Sequence, residues 1–440
     1  MSNKRKILIG TFVLTATGFS TRFIGFFFRM FLSHTFGEEQ VGLYQLIFPI
    51  YALCFSFTSA GIETAISRST ARKVSLGKQN EAIHLMYIGL CISLSLSFLT
   101  MFLLQSYATQ ISIYVLGDVR CEPLIFAISY AIPFASVHSC IIGYYLGLKQ
   151  TKIPAISQLV EQISRIAAVY IIYRFFQYHN GELSILLAVI GIIFGECCSS
   201  FLCVFCFTSQ STRIKAKDIF LHAPVLSKEL LQLSIPLTSS RILLNVLQSI
   251  ESISIPLRLQ QYGYSSSEAL SNYGVLTGMA LPCVLFPSAI TNSISTMLLP
   301  TVAEIQASKN TQKLKAVIQK IFYSCLLLGF VCCFGLLILS SWIGNVLFHS
   351  SLAGDYLKTL AWICPFLYLN TTLISITNGL GKASISFLIN TLSLFIRITG
   401  VLIFIPKIGM NGYLWGLLVS QVLTFVLCMS YLTWYLKKRV

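Results

Sequence analysis

The hydrophobic positions of this chain form twelve long apolar stretches separated by short polar connections. Each stretch provides the roughly 20 mostly apolar residues that a helix needs to cross a bilayer. The pattern therefore predicts an all-α polytopic membrane protein with about twelve transmembrane helices. The predicted segments are 7–33, 41–66, 83–105, 122–148, 153–173, 184–208, 233–257, 272–299, 319–341, 356–379, 383–405 and 411–436.

The most polar connection lies between the sixth and seventh segments. It predicts two six-helix lobes with a linker between them on the cytoplasmic side. The N-terminal lobe would cover 1–210, the linker 211–232, and the C-terminal lobe 233–440.

The two halves also echo each other in sequence. A shift of 232 residues places Pro133 on Pro365 and Arg165 on Arg397, with the same kind of segment around each. Such repeats are common in secondary transporters, whose substrate site lies where the repeats meet. Six spans in each half would give both repeats the same orientation, and chance similarity between apolar segments is the alternative.

Composition supports the membrane assignment, since 55% of the residues are hydrophobic and 10% are charged. If the N-terminus is cytoplasmic, the inner loops hold 21 of the 31 Lys and Arg residues and the outer loops hold five. This bias is the positive-inside pattern, and it predicts a multi-pass membrane protein with both termini in the cytoplasm. The net charge of +16 is thereby explained by topology, without a nucleic-acid partner.

One face of the first segment is polar, although the rest of that segment is apolar. Its residues recur at intervals of three and four, which places them on one side of a helix. Arginine near a bilayer centre costs roughly 2.5–3.5 kcal/mol, so Arg22 and Arg29 are expected to face water or a bound anion inside the bundle. The members of this stripe are Thr11, Thr15, Gly18, Arg22, Gly25 and Arg29.

The fifth segment carries Gln158, Glu161 and Arg165. Glu161 and Arg165 are four residues apart and can neutralise each other on one helix face. One interpretation is a structural ion pair. The other is an anion site to which Gln158 and Arg165 contribute and which Glu161 adjusts.

A second polar stripe follows the seventh segment, at intervals of four, three and three residues. If the repeat holds, this segment is the counterpart of the first, and the two stripes would line one central cavity. The stripe consists of Arg241, Asn245, Gln248 and Glu251.

Three more charges lie inside or at the ends of predicted segments. Glu63 is a candidate gate or proton site, with pairing to Arg68 or Arg72 as the alternative. Arg397 has no acidic residue within a turn, so it must reach the interface, find a distant partner or face the cavity. Glu196 is similarly isolated in the sequence, which favours a neutral structural carboxyl.

Nothing in the sequence predicts enzymatic catalysis or a cofactor. A phosphate-binding loop of the G-x-x-x-x-G-K type is absent from the sequence, which argues against direct ATP use. Most of the fourteen cysteines lie inside apolar segments, where a free thiol behaves as a small apolar residue.

Three sequence motifs resemble a known family. Residues 37–68, GEEQVGLYQLIFPIYALCFSFTSAGIETAISR, resemble the second-span signature of the stage V sporulation protein B group. The first-span element STRFIGFFFR at 20–29 and the fifth-span stretch GLKQTKIPAISQLVEQISR at 147–165 are similar to that group as well. The group belongs to the polysaccharide-transporter branch of the multidrug/oligosaccharidyl-lipid/polysaccharide exporter superfamily.

The resemblance implies a MATE-like, V-shaped bundle of two six-helix lobes that works by alternating access. It implies export of a polyprenyl-pyrophosphate-linked saccharide, such as the lipid II peptidoglycan precursor, across a bacterial cell membrane. Membrane lipids and cell-wall synthesis proteins would be its partners. Related lipid II flippases line their cavity with first-span arginines, which Arg22 and Arg29 match. Those flippases also carry a second-span arginine, which is missing around Phe55 and Ser56, and many have fourteen spans.

Two other functions compete with this one. A cation-coupled multidrug exporter of the same superfamily would use acidic residues such as Glu63, Glu161 and Glu251 for coupling or gating. The two arginines of an acid-free first span disfavour a cationic substrate. A membrane scaffold for cell-wall assembly that transports nothing is the third interpretation.

Overall fold

The structure is a computed structural model that describes residues 3–179, 184–210, 216–307 and 311–437. Helices, and no strands, make up the regular structure of these residues. In the first half, the α-helices are α1 (Asn3–Leu46), α2 (Phe48–Phe55), α3 (Gly61–Ser75), α4 (Gln79–Ser106), α5 (Ala108–Gln110), α6 (Glu122–Ser129), α7 (Ala131–Gly147), α8 (Lys152–Tyr178) and α9 (Leu186–Gln210).

The helices of the second half follow after residue 215. They are α10 (Ala216–Tyr262), α11 (Ser266–Gly274), α12 (Leu281–Leu285), α13 (Ser288–Ala307), α14 (Thr311–Trp342), α15 (Ser351–Ala361), α16 (Cys364–Gly379), α17 (Ala383–Thr399), α18 (Ile405–Ile408) and α19 (Met410–Lys437). Wider π-helical turns join several helices within one span. They cover Ser56–Ala60, Ile111–Leu116, Val275–Ala280, Ile343–Leu347 and Gly400–Phe404.

The predicted membrane segments are confirmed as helices. The described residues contain eight helices that are long and apolar enough to cross a membrane, or 11 if three bent pairs each count as one span. The helical stretch Phe12–Ser75 alone has 64 residues. It contains two of the predicted segments, and Gly37 interrupts it with φ 77° and ψ 172°. With that stretch counted as two, every predicted segment falls in a helical span, so the all-α polytopic class is correct.

The chain forms two compact units. The first unit contains Met1–Gly25 and Leu43–Ser249, and the second contains Phe26–Gly42 and Ile250–Val440. The first predicted span and the seventh are therefore each divided between units. Within the predicted linker, residues 211–215 lie outside the described residues, and the remainder belongs to α10. The division at 211–232 into six-helix lobes stays a prediction.

Small residues let the helices of the first unit approach closely. A side chain on Gly143 of α7 would meet the backbone oxygen of Glu63 in α3 at 2.6 Å. A side chain on Gly147 would meet the oxygen of Ser67 at 2.7 Å. Lipid offers no hydrophobic drive between helices, so association depends on such close backbone packing. The core beside these contacts is built from α3, α4, α7 and α9.

The second unit has its own core, formed by α13, α14, α16 and α19. Gly329 of α14 packs on Pro365, where an added Cβ would lie 2.5 Å from the proline Cα. Pro365 occupies the first turn of α16, where its missing N–H breaks no helical hydrogen bond.

The 232-residue shift relates helix boundaries as well as side chains. In the first unit, Val119–Ser129 and Ala131–Gly147 form a pair bent by 42°. In the second unit, Ser351–Ala361 and Cys364–Gly379 form a pair bent by 57°. Three of the four boundaries of the second pair lie 232 residues after those of the first, and the fourth differs by one residue. The shared break favours a true repeat over chance similarity.

The residues in front of these bent pairs correspond too. Asp118 caps the first pair by accepting a hydrogen bond from the backbone N–H of Arg120 at 2.9 Å. Ser350 caps the second by accepting one from Ala353 at 3.2 Å. Gly117 and His349 precede the caps, and both have left-handed backbones, with φ of 75° and 52°. The same turn is thus built twice, once with the glycine that this conformation favours.

Candidate substrate and ion sites

Arg22 and Arg29 lie on α1 as predicted, with Arg22 exposed and Arg29 partly buried. Arg22 belongs to the first unit and Arg29 to the second. The side chain of Thr11, in the same stripe, lies outside the described residues. Gly25 brings α8 close to this face of α1, because an added Cβ would lie 3.3 Å from Nε2 of Gln162. The polar faces of α1 and α8 therefore meet within the first unit.

The predicted ion pair of the fifth segment is present in α8. Nη2 of Arg165 donates a hydrogen bond to Oε1 of Glu161. The Nε atom of Arg165 is buried and has no hydrogen-bond partner. Gln158, one turn before Glu161, is exposed on the same helix. The arginine charge is therefore largely balanced, although one of its donors stays unused.

Glu196 is not isolated, contrary to the expectation from the sequence. Its Oε1 accepts a hydrogen bond from the Tyr51 hydroxyl at 3.2 Å, and its Oε2 lies 3.3 Å from Nδ1 of His138. A carboxylate oxygen of Glu161 joins them, since one ligand atom each of His138, Glu161 and Glu196 lies within 4.8 Å of the others. We call these three residues the His138 cluster. Its members come from α7, α8 and α9, so no short-range spacing in the sequence indicates that they lie together.

Glu63 of α3 accepts a hydrogen bond from the Ser139 hydroxyl of α7 at 3.0 Å. Arg241 and His138 lie close enough to Glu63 to interact with it electrostatically. Arg241 and His138 come from α10 and α7, so the structure ties Glu63 to the interior of the first unit. The predicted role as gate or proton site remains a prediction.

The α10 stripe packs along the second span within the first unit. Nη2 of the exposed Arg241 donates to the Thr64 hydroxyl at 3.0 Å. The Asn245 amide donates to the Ser56 hydroxyl and to the backbone oxygen of Ala52. Ser56 begins a π-helical turn, a feature that often marks functional sites. The stripe is therefore partly used in helix contacts.

Gln248, the remaining glutamine of the α10 stripe, is exposed. Gly61 of α3 is so close to Thr238 that an added Cβ would lie 1.8 Å from its Oγ1. Close contact at Thr238 fixes where Arg241 and Gln248 lie along the second span. That the stripe lines a central cavity stays a prediction.

Arg397 has a distant partner, the second of the three outcomes that the sequence left open. In the second unit, Nε and Nη2 of Arg397 each lie 2.7 Å from Oε1 of Glu251. The Tyr413 hydroxyl donates to the same oxygen at 2.8 Å. The Glu251 side chain is 2% exposed, so this ion pair is buried. It joins α10, α17 and α19.

The candidates thus fall into distinct groups. Glu161 and Arg165 join the His138 cluster, Glu63 and Arg241 lie on its α3 side, and Glu251 pairs with Arg397 in the second unit. Sequence reasoning missed His138 and Tyr51, which lie within apolar segments. The 232-residue shift places His138 on Asn370, a second buried polar residue that could have drawn attention to it.

Comparisons with known proteins agree with these observations. The family described as polysaccharide biosynthesis protein matches residues 7–306. Stage V sporulation protein B of Bacillus subtilis (strain 168) is 28% identical over 433 residues, which cover 96% of this chain and 83% of that protein.

Solved structures show the same fold. An inward-facing multidrug resistance MATE family transporter of the MOP superfamily has a TM-score of 0.71 at 13% identity, covering 96% of this chain and 95% of that one. Lipid II flippase MurJ in an inward closed conformation has a TM-score of 0.70 at 15% identity, covering 96% of this chain and 87% of that one. These likenesses confirm the MATE-like architecture that the sequence predicted.

Proposed function

The chain belongs to the polysaccharide biosynthesis protein family, and on that premise we propose that it is a flippase for a polyprenyl-pyrophosphate-linked saccharide. The substrate would be a lipid II-like precursor of the cell wall or of a polysaccharide. It would move from the inner to the outer leaflet by alternating access. The protein acts as a transporter of the MOP superfamily and carries out no chemical conversion of its cargo.

The observation that carries this proposal is the placement of two arginines in an acid-free membrane helix. Residues 7–37 of α1 contain no Asp or Glu, and Arg22 among them is exposed. A guanidinium in this setting favours an anionic ligand, because it holds phosphate oxygens with two parallel hydrogen bonds. Membrane lipids would hold the polyprenyl tail while the arginines hold the pyrophosphate.

The other candidate residues differ in how available they are to bind substrate. Arg241 is exposed and has a neutral hydrogen-bond partner in Thr64, so its charge remains available to an anion. Arg165 and Arg397 already form ion pairs with carboxylates. They would bind substrate only after those ion pairs break. Gln158, Asn245 and Gln248 would donate hydrogen bonds to the saccharide.

Three carboxylates would serve coupling or gating. Glu161 and Glu251 each hold an arginine, so the opening of either pair would release one positive charge. Glu63 would respond to the charges of Arg241 and His138.

We place both termini in the cytoplasm, because the positive-inside pattern requires it. Cell-wall synthesis proteins would supply and take up the lipid-linked saccharide.

A cation-coupled multidrug exporter is the second candidate function. The His138 cluster favours it, because buried carboxylates beside an imidazole can bind a cation. The arginines of α1 disfavour cationic drugs as cargo. The two functions differ in which substitutions should abolish transport.

The test is flipping of fluorescent lipid II in proteoliposomes by the wild type and by Arg22→Ala/Arg29→Ala. We expect flipping to fall at least about tenfold, because hydrogen bonds to charged groups each contribute about 1.5–3 kcal/mol. Arg22→Lys/Arg29→Lys separates charge from bidentate geometry. Arg174→Ala/Arg258→Ala removes two arginines near helix ends and should leave flipping unchanged. Wild-type flipping by the Arg22/Arg29 double variant would refute the proposal.

A further inference from the structure

The three residues of the His138 cluster and Tyr51 place four ionisable side chains from four helices around one point of the first unit. Tyr51 of α2 and His138 of α7 both contact Glu196 of α9, and Glu161 comes from α8. His138 is 7% exposed and Glu196 is 8% exposed. Burial of this much polar chemistry is costly unless the groups satisfy one another or bind a ligand.

The hydrogen bonds around His138 assign its neutral tautomer. The Ser199 hydroxyl donates to the backbone oxygen of Glu196 at 3.0 Å, so its oxygen is free to accept from Nδ1 of His138 at 3.3 Å. Oε2 of Glu196 also accepts at that nitrogen, at 3.3 Å. Nδ1 is therefore the protonated nitrogen. Both groups that face Nδ1 are hydrogen-bond acceptors, so neither could donate a hydrogen bond to a lone pair on this nitrogen.

This assignment leaves the other ring nitrogen with a lone pair. Nε2 of His138 is buried and has no hydrogen-bond partner. A buried nitrogen lone pair without a donor is an open binding position for a cation. The cluster therefore contains both an unused ligand atom and carboxylates to balance a positive charge.

The charges in the cluster favour a monovalent cation. With a neutral imidazole, Glu161 and Glu196 carry two negative charges, and the Arg165 guanidinium bound to Glu161 carries one positive charge. One added positive charge makes the cluster neutral. A divalent metal ion would leave an excess positive charge beside Arg165 in a medium of low dielectric constant.

The ligand type separates a proton from Na⁺. Hard cations prefer oxygen ligands, whereas the open position here is an imidazole nitrogen. A proton binds this nitrogen without any change in the surrounding ligands. The cluster thus matches a proton better than an alkali metal ion.

The groups that face His138 from the other helices are compatible with protonation. From α3, Glu63 approaches through Ser139, the neighbour of His138 in α7. Arg241 of α10 lies near Glu63 and donates its hydrogen bond to Thr64. Towards α4, the hydroxyls of Ser93, Ser59 and Ser136 form a hydrogen-bonded chain of uncharged groups.

We propose that the His138 cluster is a proton-binding site, in which Nε2 of His138 accepts one proton and the imidazolium is held by Glu196 and Glu161. No covalent bond between heavy atoms changes, and the net charge of the three side chains with Arg165 rises from −1 to zero. Proton binding needs no transported substrate. The site can therefore be tested separately from the proposed function.

The experiment is ¹⁵N NMR of the histidine rings in the full chain, reconstituted in nanodiscs without substrate, between about pH 5 and pH 9. The chain has six histidines, so His138→Gln identifies the relevant signal. His84→Gln is the matched control, since His84 is also buried in the first unit at 6% exposure. We expect one titrating imidazole that His138→Gln removes and His84→Gln retains.

A second variant tests the role of the carboxylate. Glu196→Gln should move the titration of His138 to lower pH by about one unit or more, because it removes a charged acceptor of the imidazolium. If that variant does not fold, Ser199→Ala should move it in the same direction by less. A His138 ring that does not change protonation across this range would overturn the proposal. So would a signal that responds to NaCl in place of choline chloride at constant pH, because Na⁺ would then be the bound cation.

Discussion

Arg397 reaches Glu251 across 146 residues of sequence, and both its Nε and its Nη2 lie 2.7 Å from the same carboxylate oxygen. The equivalent arginine of the first unit, Arg165, forms its ion pair with Glu161 of the same helix. In the second unit the position that corresponds to Glu161 is Ser393. The two halves therefore neutralise equivalent arginines with acids from different helices.

Removal of Glu251 should destabilise the second unit strongly. Glu251→Gln leaves the Arg397 charge largely buried without its carboxylate, and removal of one partner from a buried pair costs about 3–5 kcal/mol. The Arg397 side chain is 25% exposed, which favours the lower end of this range. The free energy of unfolding in detergent, from denaturant titration, measures the effect.

The matched control is the exposed pair of Asp355 and Lys358, whose side chains are 67% and 51% exposed. Lys358→Ala should change the free energy of unfolding by less than about 1 kcal/mol. The double variant Glu251→Leu/Arg397→Met should recover most of the loss, because it leaves no unpaired charge. Equal stability of Glu251→Gln and wild type would mean that the pair is not buried as described.

The packing of α9 on α8 gives a second prediction. An added Cβ on Gly195 would lie 2.8 Å from the backbone oxygen of Glu161, which cannot move without a shift of α8. Gly195→Ala should therefore lower the free energy of unfolding by about 1–3 kcal/mol. Gly335→Ala is the control, because nothing lies within 4 Å of its added Cβ. A thermal unfolding midpoint equal for all three proteins would contradict the close packing.

Two equivalent turns, at Lys149 and Gly381, predict that loss of a glycine destabilises the protein and that gain of a glycine does not. Lys149 has a left-handed backbone with φ 59°, and the equivalent residue, 232 positions later, is Gly381 with φ 73°. Gly381→Ala should destabilise by about 1 kcal/mol, because a Cβ is unfavourable in this conformation. Lys149→Gly should be neutral or stabilising by less than about 1 kcal/mol, since the relief of strain is offset by the entropy of the unfolded glycine. Equal losses from both substitutions, in denaturant titrations, would disagree with the backbone geometry.

Much of the fold could be predicted from sequence, because a bilayer imposes length and apolarity on every span. The pair of Glu161 and Arg165 could be predicted as well, since a spacing of four residues alone brings side chains together on a helix. The bends within the predicted segments 122–148 and 356–379 were not predicted, although the structure places them at equivalent points of the 232-residue register.

Long-range pairs could not be predicted in this way. His138 and Glu196 are 58 residues apart, and their contact depends on how three helices pack. The repeat would have misled a search for the partner of Arg397, because the position equivalent to Glu251 in the first half is Phe19.

The two candidate functions differ in their response to charge removal. For export of an anionic saccharide lipid, Arg22→Ala should reduce flipping about tenfold, and Glu161→Gln should change it less, because Glu161 offers no positive charge to a pyrophosphate. For cation-coupled drug export, Glu161→Gln should abolish drug efflux, and Arg22→Ala should have little effect. Flipping and drug efflux measured on both variants distinguish the two cases. Sensitivity to Glu161→Gln alone would favour the exporter.

Membrane potential should accelerate export of the proposed substrate. A potential that is negative inside contributes about 2.3 kcal/mol per charge for each 100 mV when an anion moves outward. A pyrophosphate carries several negative charges, so even partial movement through the field should raise the flipping rate severalfold. The measurement is flipping in proteoliposomes with a potassium diffusion potential set by valinomycin, at fixed proton and sodium gradients. The Arg22→Ala/Arg29→Ala variant should show little response to the potential, since it no longer holds the anion. Flipping by the wild type that does not change when the potential is collapsed would exclude this driving force, and it would direct attention to ion gradients instead.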